Sequence, residues 1–418
     1  MTPLPPGRVS RRNFAKSGAE ISLGTLGGLT ISGGCRYGTP KQTPKRYRIS
    51  GPSMNPTLWG PSRSLACESC GIRIRVDSST LQLAMEGLSQ GVLPASALAC
   101  WHCGHVITKT QVRHGLATDE LPPDVVEITA RARRDFQPGA MVLIERQGTH
   151  AKRLLGVPGQ TISRDRLGRL QIDGQLPGFS SLPQITVDAD RCRERSRWLN
   201  EAASTGWQRQ TDRSWTTHSD SSWLVYHHQN VYRGKHSGRV LDDYPGNLGV
   251  QRSLFPAAGL SIQFSLAAPV GGEQAAEVWT AIWTESGVVL QQQRVRLRAN
   301  IAIPVQTKNP AVAGSSSRLH LPTDLVTPQT PVALRIAAGP RSRIDLSDLS
   351  VNRTVVYRDT AVVPRAKSAN PARPLQYPQR LGDDEWFVVG DNVPLSIDSR
   401  HWGVVTTAEI LGCIELST

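Results

Sequence analysis

The chain has no window of about 18 residues that is both uncharged and strongly apolar, so it offers no confident membrane-spanning helix and is not a multi-span membrane protein. It is poor in cysteine. Seven in 418 residues are too few for a disulfide-dense scaffold, and four of them come as close pairs, which points to metal. Acidic residues fall short of basic ones, 34 Asp+Glu against 48 Lys+Arg. The resulting +14 favours an anionic partner such as nucleic acid or acidic lipid without choosing between them. What is present suffices to fold: hydrophobic residues at 39% and charged residues at 20% exclude wholesale disorder. At 418 residues the chain exceeds what one core usually supports, so two or three domains are expected.

Residues 1–35 have the layout of an export signal: a basic stretch from Ser10 to Lys16, then the short, glycine-rich Ile21 to Ile31. The pair Arg11-Arg12 before Asn13-Phe14-Ala15-Lys16 resembles a twin-arginine signal, the type that exports folded proteins. A disordered basic tail is the alternative, and Glu20 inside the apolar stretch favours it. Cys35, after Ser32-Gly33-Gly34, resembles a lipoprotein cleavage box in its two small residues, so lipid anchor and uncleaved signal-anchor both stay open. Either anchor places the bulk of the chain outside the cytoplasm.

Three separated segments carry candidate chemistry. In Ser50-Gly51-Pro52-Ser53-Met54-Asn55-Pro56-Thr57, Ser53 sits on an irregular backbone between a Gly-Pro turn and Met-x-Pro-Thr, where its hydroxyl and its own amide can both face a substrate. In the second, Pro138-Gly139 reads as a turn and Ala140 to Ile144 as a buried strand, and Lys152 begins another strand-like run, Lys152 to Gly159. The third, Gly390 to Gly403, is dense in turn formers and hydrogen-bonding side chains and is suited to orienting a neighbour.

In this order the three segments resemble the type I signal peptidases, serine proteases that use a Ser/Lys dyad. The resemblance covers roughly 100 residues, and its specificity comes from three concordant motifs rather than any one. It implies a membrane-associated endopeptidase that removes signal peptides from exported preproteins, on the periplasmic side, with Ser53 as nucleophile, Lys152 as general base, Ser396 supporting the dyad, and Asp398 and Arg400 as a structural pair. It also implies small side chains at the cleavage positions and an extended substrate docked as a strand. The chemistry demands that Lys152 be desolvated, because a lysine at its usual pKa near 10.4 is protonated at neutral pH. Three positions depart from the family pattern: Gly51 stands where some members carry a second oxyanion-donating serine, Gly139-Ala140 replaces Gly-Asp, and Gln160 replaces the Asp after Leu-Pro-Gly. Ser50 or water would substitute for the missing donor.

The resemblance makes the catalytic core discontinuous, 46–62, 136–177 and 379–418, with two insertions. The first, 63–135, carries Cys67-x-x-Cys70-Gly and Cys100-x-x-Cys103-Gly, two knuckles that together supply four tetrahedral thiolates. This reads as a zinc ribbon with a structural zinc and no open position for a catalytic water; two local disulfides are the alternative in an oxidising compartment. The second, 178–370, contains short apolar or alternating runs, Leu260 to Leu266, Ala276 to Trp283, Val288 to Ile303, Val332 to Ile336 and Arg353 to Val363, separated by turn formers. The pattern predicts a β-sandwich, with a weak resemblance to concanavalin-type jelly rolls. The fold class expected is therefore mainly β: a signal-peptidase-like core with a zinc-ribbon and a sandwich inserted. Trp198, Trp207, Trp215 and Trp223, beside Tyr226, His227, His228 and Tyr232, fill a core or bind carbohydrate or protein. Asp242 to Asn247 is an acidic turn that holds calcium or only water. Pro364 to Pro378 is a basic, proline-rich return linker. Two rival functions remain: a basic zinc-containing nucleic-acid-binding protein, disfavoured because the cations are dispersed rather than striped, and an inactive peptidase-like adhesion protein. Preprotein and membrane lipid are the expected partners, with no nucleic acid.

Overall fold

The computed structural model describes residues 45–415 apart from 118–119, 130–135, 179–181, 190–195, 202–205, 212–213, 219–221, 232–235, 269–273, 299–300, 302, 308–323, 340–341 and 360–375. The export signal, Cys35, Tyr232 and most of the return linker lie outside these residues. Among those described, no helix is long and apolar enough to cross a membrane. The molecule is mainly β.

A seven-stranded sheet collects distant parts of the chain in the order Lys45–Arg48, Val125–Thr129, Ile410–Glu415, Met141–Glu145, Thr149–Gly156, Glu385–Val389, Val405–Thr406. Every neighbouring pair is antiparallel. Its central strands read as near-continuous apolar runs, MVLIE and EWFVV, because both faces are covered. One face packs Val142, Ile144, Leu154, Trp386 and Val388; the other packs Leu143 and Ala151 under Met54 and Leu58. Val125–Thr129 corrects the expected boundary at 135. Its Val126 and Ile128 alternate into the cluster beneath Met54, so this strand joins the large sheet instead of the cysteine-bearing module.

That module keeps three short strands, Arg73–Asp77, Ser62–Ala66 and Glu120–Leu121, and two helices, Ser78–Ser89 and Lys109–Ala117. Asp77 caps the first helix by accepting the amides of Ser79 and Thr80.

Besides the two-stranded pair Gln229–Asn230 and His236–Ser237, the strands between Gln184 and Thr354 build two sheets. One holds Gln208–Thr211, Ser214–His218, Arg343–Thr354, Leu260–Ala267 and Ile303–Thr307, with Gln184–Ala189 also on Arg343–Thr354; the other holds Trp198–Asn200, Leu224–Tyr226, Val332–Ala338, Gln274–Thr284 and Gly287–Leu297. Side chains of both meet in one core around Ile262, Phe264, Val278, Leu334 and Leu346. Trp198, Trp207 and Trp215 belong to this core and Trp223 to a second cluster with Trp279, so the four tryptophans pack inside rather than display a binding face. The expected run Arg353 to Val363 is misplaced: the strand is Arg343–Thr354, and Val355 and Tyr357 leave it to pack against Leu155 and Phe387 of the large sheet. Val288 to Ile303 is likewise two strands rather than one.

The three parts are tied by polar contacts. His102, between Cys100 and Cys103, reaches Asp188 at 3.3 Å, and Arg197 donates to the His102 carbonyl. Leu248 is buried in the core of the cysteine-bearing module.

Candidate active site

Ser53 lies in a one-turn 3-10 segment, Pro52–Met54, which the proline starts and the buried Met54 and Leu58 pin to the sheet. Lys152 points from the strand Thr149–Gly156 into the protein and is 1% exposed. Its ammonium donates to Ser396 Oγ at 3.1 Å and lies 5.8 Å from the Trp402 ring. Burial lowers its pKa to about 8, helped by Arg400 and opposed by Asp398 and Asp391. His150, two residues earlier, is also lowered by burial and by Lys152.

The loop after Glu385–Val389 brings the rest of the set together. Gly390 is the closest approach: a methyl group there would collide with both Ser396 Oγ and the Ser53 carbonyl, so only glycine lets the two serine segments meet. Asn392 donates its backbone amide to the Ser53 carbonyl at 3.0 Å and accepts the Ser396 amide at 2.9 Å. Asp398 is fully buried and forks onto Arg400, with Nε to Oδ1 at 2.8 Å and Nη2 to Oδ2 at 2.7 Å, while accepting the Gly390 amide at 2.9 Å. That arginine holds the Asp398 carboxyl far below the usual carboxylate range against its burial. Arg400 also donates to the Ser396 and Arg358 carbonyls, which fixes the loop to the chain leaving the sandwich. Ser53, Lys152, Ser396, Asp398 and Arg400 thus converge on one loop.

Asp391 and Arg153 lie inside two of the candidate segments, and the sequence alone assigns neither a role. Arg153 forks onto Asp391 at 2.8 and 2.7 Å, and Asp391 also accepts Thr57 Oγ1 at 2.5 Å and Tyr357 OH at 2.7 Å. One buried carboxylate therefore ties the Ser53 segment, the Lys152 strand, the Ser396 loop and the insertion. The available signal was an arginine embedded between Lys152 and the apolar pair Leu154-Leu155: such a charge needs a buried partner. Gly51 has an extended backbone with nothing within 4 Å of where a Cβ would stand. Ser50 is exposed. Gln160 accepts the Val157 amide and donates to Asp173.

The four cysteines gather away from this loop, with all Sγ atoms within 4.8 Å of one another. In each knuckle the glycine amide returns to the first cysteine carbonyl at 2.8 Å, Gly71 to Cys67 and Gly104 to Cys100, at φ near +70° and +69°. The short separations run across the knuckles, Cys67 to Cys103 at 3.6 Å and Cys70 to Cys100 at 3.8 Å. Thiolates about 2.3 Å from one tetrahedral ion stand about 3.8 Å apart, whereas a disulfide needs about 2.05 Å. None of the four is disulfide-bonded, so the pairing Cys67–Cys70 and Cys100–Cys103 is not adopted. Burial and the neighbouring thiols push Cys100 up to about 12 and Cys70 further, so a cation among them would favour the thiolate form of both. The donor set fits a tetrahedral thiophilic metal. His102 is turned to Asp188 and is no ligand of this cluster. Asp242 is likewise engaged, by Arg252 Nη1 at 3.0 Å and by Arg358 at 3.4 Å, so the acidic turn is neutralised by arginines.

Residues 327–418 match the family described as signal peptidase, peptidase S26. No curated protein matches the chain in sequence. Among solved structures, the chain is similar to the CBM22-1–GH10 modules of a Clostridium thermocellum xylanase at 10% identity, covering 41% of this chain and 28% of that one with a TM-score of 0.23. It is also similar to a xylan-binding domain from Paenibacillus barcinonensis at 8% identity, 38% and 85% coverage and TM-score 0.21. A family 11 carbohydrate-binding module from Clostridium thermocellum gives 11% identity, 47% and 96% coverage and TM-score 0.18. The chain spans less than a third of the xylanase, and likenesses this partial say nothing of what this chain binds. The family match supports a peptidase at family level, on the segment that carries Ser396, Asp398 and Arg400.

Proposed function

We propose that this protein is a Ser/Lys endopeptidase that removes signal peptides from exported preproteins outside the cytoplasm. The observation that carries the reading is the burial of Lys152, hydrogen-bonded to Ser396, on the loop that also holds the Ser53 carbonyl. Neutral Lys152 accepts the Ser53 Oγ proton as Oγ bonds to the scissile carbonyl carbon. The carbonyl oxygen becomes an oxyanion facing the Ser53 amide. Lys152 then returns the proton to the leaving amine as the C–N bond breaks, leaving an acyl-enzyme, and water activated by the same lysine releases the shortened chain. Ser396 keeps the amine aimed, and the Asp398–Arg400 fork keeps Ser396 in place.

The four-cysteine cluster would hold a structural zinc through Cys67, Cys70, Cys100 and Cys103, stabilising the module without joining the chemistry. The +14 charge suits docking at an acidic lipid surface, where preproteins emerge. The test is incubation of the purified full chain with a preprotein and mass spectrometry of the products. Cleavage after small residues by wild type, absent in Ser53→Ala, is the expected result; equal cleavage by both would refute the assignment.

A further inference from the structure

The turn Asp242 to Asn247 belongs to the inserted chain, yet it reaches the loop that carries Ser396. Asn247 and Asn392 exchange two amide hydrogen bonds: Asn247 Nδ2 donates to Asn392 Oδ1 at 2.7 Å, and Asn392 Nδ2 donates back to Asn247 Oδ1 at 2.9 Å. Tyr244 supports the pair, donating its hydroxyl to the Asp391 carbonyl at 2.9 Å and accepting the Val393 amide at 3.3 Å. Asn392 is fully buried, so its side chain has no water to fall back on if Asn247 is lost. It also joins the Ser53 turn to the Ser396 segment. Its backbone amide donates to the Ser53 carbonyl, and its own carbonyl accepts the amides of Leu395 and Ser396 at 3.0 and 2.9 Å.

We propose that Asn247, backed by Tyr244, is a positioning residue for catalysis: through Asn392 it fixes the Ser53 turn against the Ser396 hydroxyl that holds Lys152. The proposal rests on Ser53 and Lys152 acting as nucleophile and base. It gives the insertion a part in the chemistry, since an element between the Lys152 and Ser396 segments in sequence returns to lock them together in space. Reciprocal amides define both position and rotation of the Asn392 side chain, which a single bond does not. Small displacements of a reacting pair are expensive, on the order of 100-fold in rate for about 1 Å.

The experiment compares full-length wild type, Asn247→Ala, Asn247→Asp and Thr216→Val on one peptide substrate. Asn247→Asp preserves size and the acceptor for Asn392 Nδ2 but removes the donor, so it guards against a folding defect in the alanine variant. Thr216→Val removes a buried hydrogen bond to Asp345 inside the sandwich and controls for general loosening. Asn247→Ala should lower kcat about 10- to 100-fold with KM changed less than about threefold, and Asn247→Asp should fall between it and wild type. The acid limb of the rate should move to higher pH. Lys152 faces His150, whose own pKa burial and Lys152 both lower; it also faces Asp398 and Asp391, which favour the charged lysine, and Arg400 and the apolar wall, which disfavour it. Water entering a loosened loop weakens the second group. Hydrogen exchange over 392–396 should quicken in Asn247→Ala and not in Thr216→Val. Wild-type kcat and acid limb in both Asn247 variants, or an equal kcat loss in Thr216→Val, would overturn the proposal while leaving the dyad standing. A wild type that cleaves nothing would sink the dyad reading instead, and unchanged exchange over 392–396 would then sink the positioning claim separately.

Discussion

Lys152 sits between opposing demands: burial removes the water that stabilises an ammonium, while Asp398 and Asp391 nearby stabilise it. Burial wins, but only to about pKa 8, so a neutral amine, the form the proposed base requires, is accessible near neutrality. Asp398 does not cancel the effect because its charge is already spent on the Arg400 fork. The oxyanion side is less complete. Gly51 has the extended backbone of an ordinary residue and open space around it, so Gly51→Ser should add a second donor without strain and raise kcat, by about tenfold if the hydroxyl reaches the oxyanion. Peptide kinetics would check this, with an unchanged or lower kcat counting against Ser53 as the nucleophile's position. That the segments of Ser53, Lys152, Ser396, Asp398 and Arg400 would come together was legible because they form a recognisable series. Asp391 and Arg153 were not, because a buried ion pair leaves no spacing in sequence when its partners are 238 residues apart.

At the level of elements, the cysteine knuckles were the most legible feature: Gly71 and Gly104 follow their cysteines directly and take the left-handed turn that the motif requires. The helices and short strands around them form one cluster with Cys67, Cys100 and Cys103, so disturbing the four-thiol cluster should also loosen the apolar core of this module. Elemental analysis should find about one zinc per chain, and Cys67→Ser should lose it and lower the melting temperature of the module, leaving kcat on a short peptide within about twofold of wild type. Full zinc occupancy in Cys67→Ser would refute the four-cysteine assignment. Val125–Thr129 escaped notice because a five-residue alternating strand has no local mark of which sheet it joins; that is settled by Val126 and Ile128 fitting under Met54.

At the scale of the whole molecule, a sandwich inserted between the Lys152 and Ser396 segments could flank the large sheet and leave the chemistry alone. The contacts argue otherwise, since Tyr244, Asn247 and Tyr357 all bond to Asp391 or Asn392 and Tyr357 is buried in the same cluster as Leu155 and Phe387. Replacing 178–370 with a short Gly/Ser linker should therefore abolish peptide cleavage as well as preprotein cleavage, measured in parallel assays; retained peptide cleavage would show that the insertion serves recognition alone. Such long-range bonding is invisible in sequence because tyrosine and asparagine in a turn look the same whether they face solvent or a neighbouring loop. The central proposal is Lys152 as the base for Ser53, and the most direct measurement of it is the pH dependence of kcat/KM for the full-length protein from about pH 5 to about pH 10. Only the neutral amine accepts the serine proton, so the rate should rise about tenfold per pH unit and level off above an apparent pKa near about 8, with no cleavage at any pH in Ser53→Ala. A flat profile, or an acid limb set several units lower, would contradict the account.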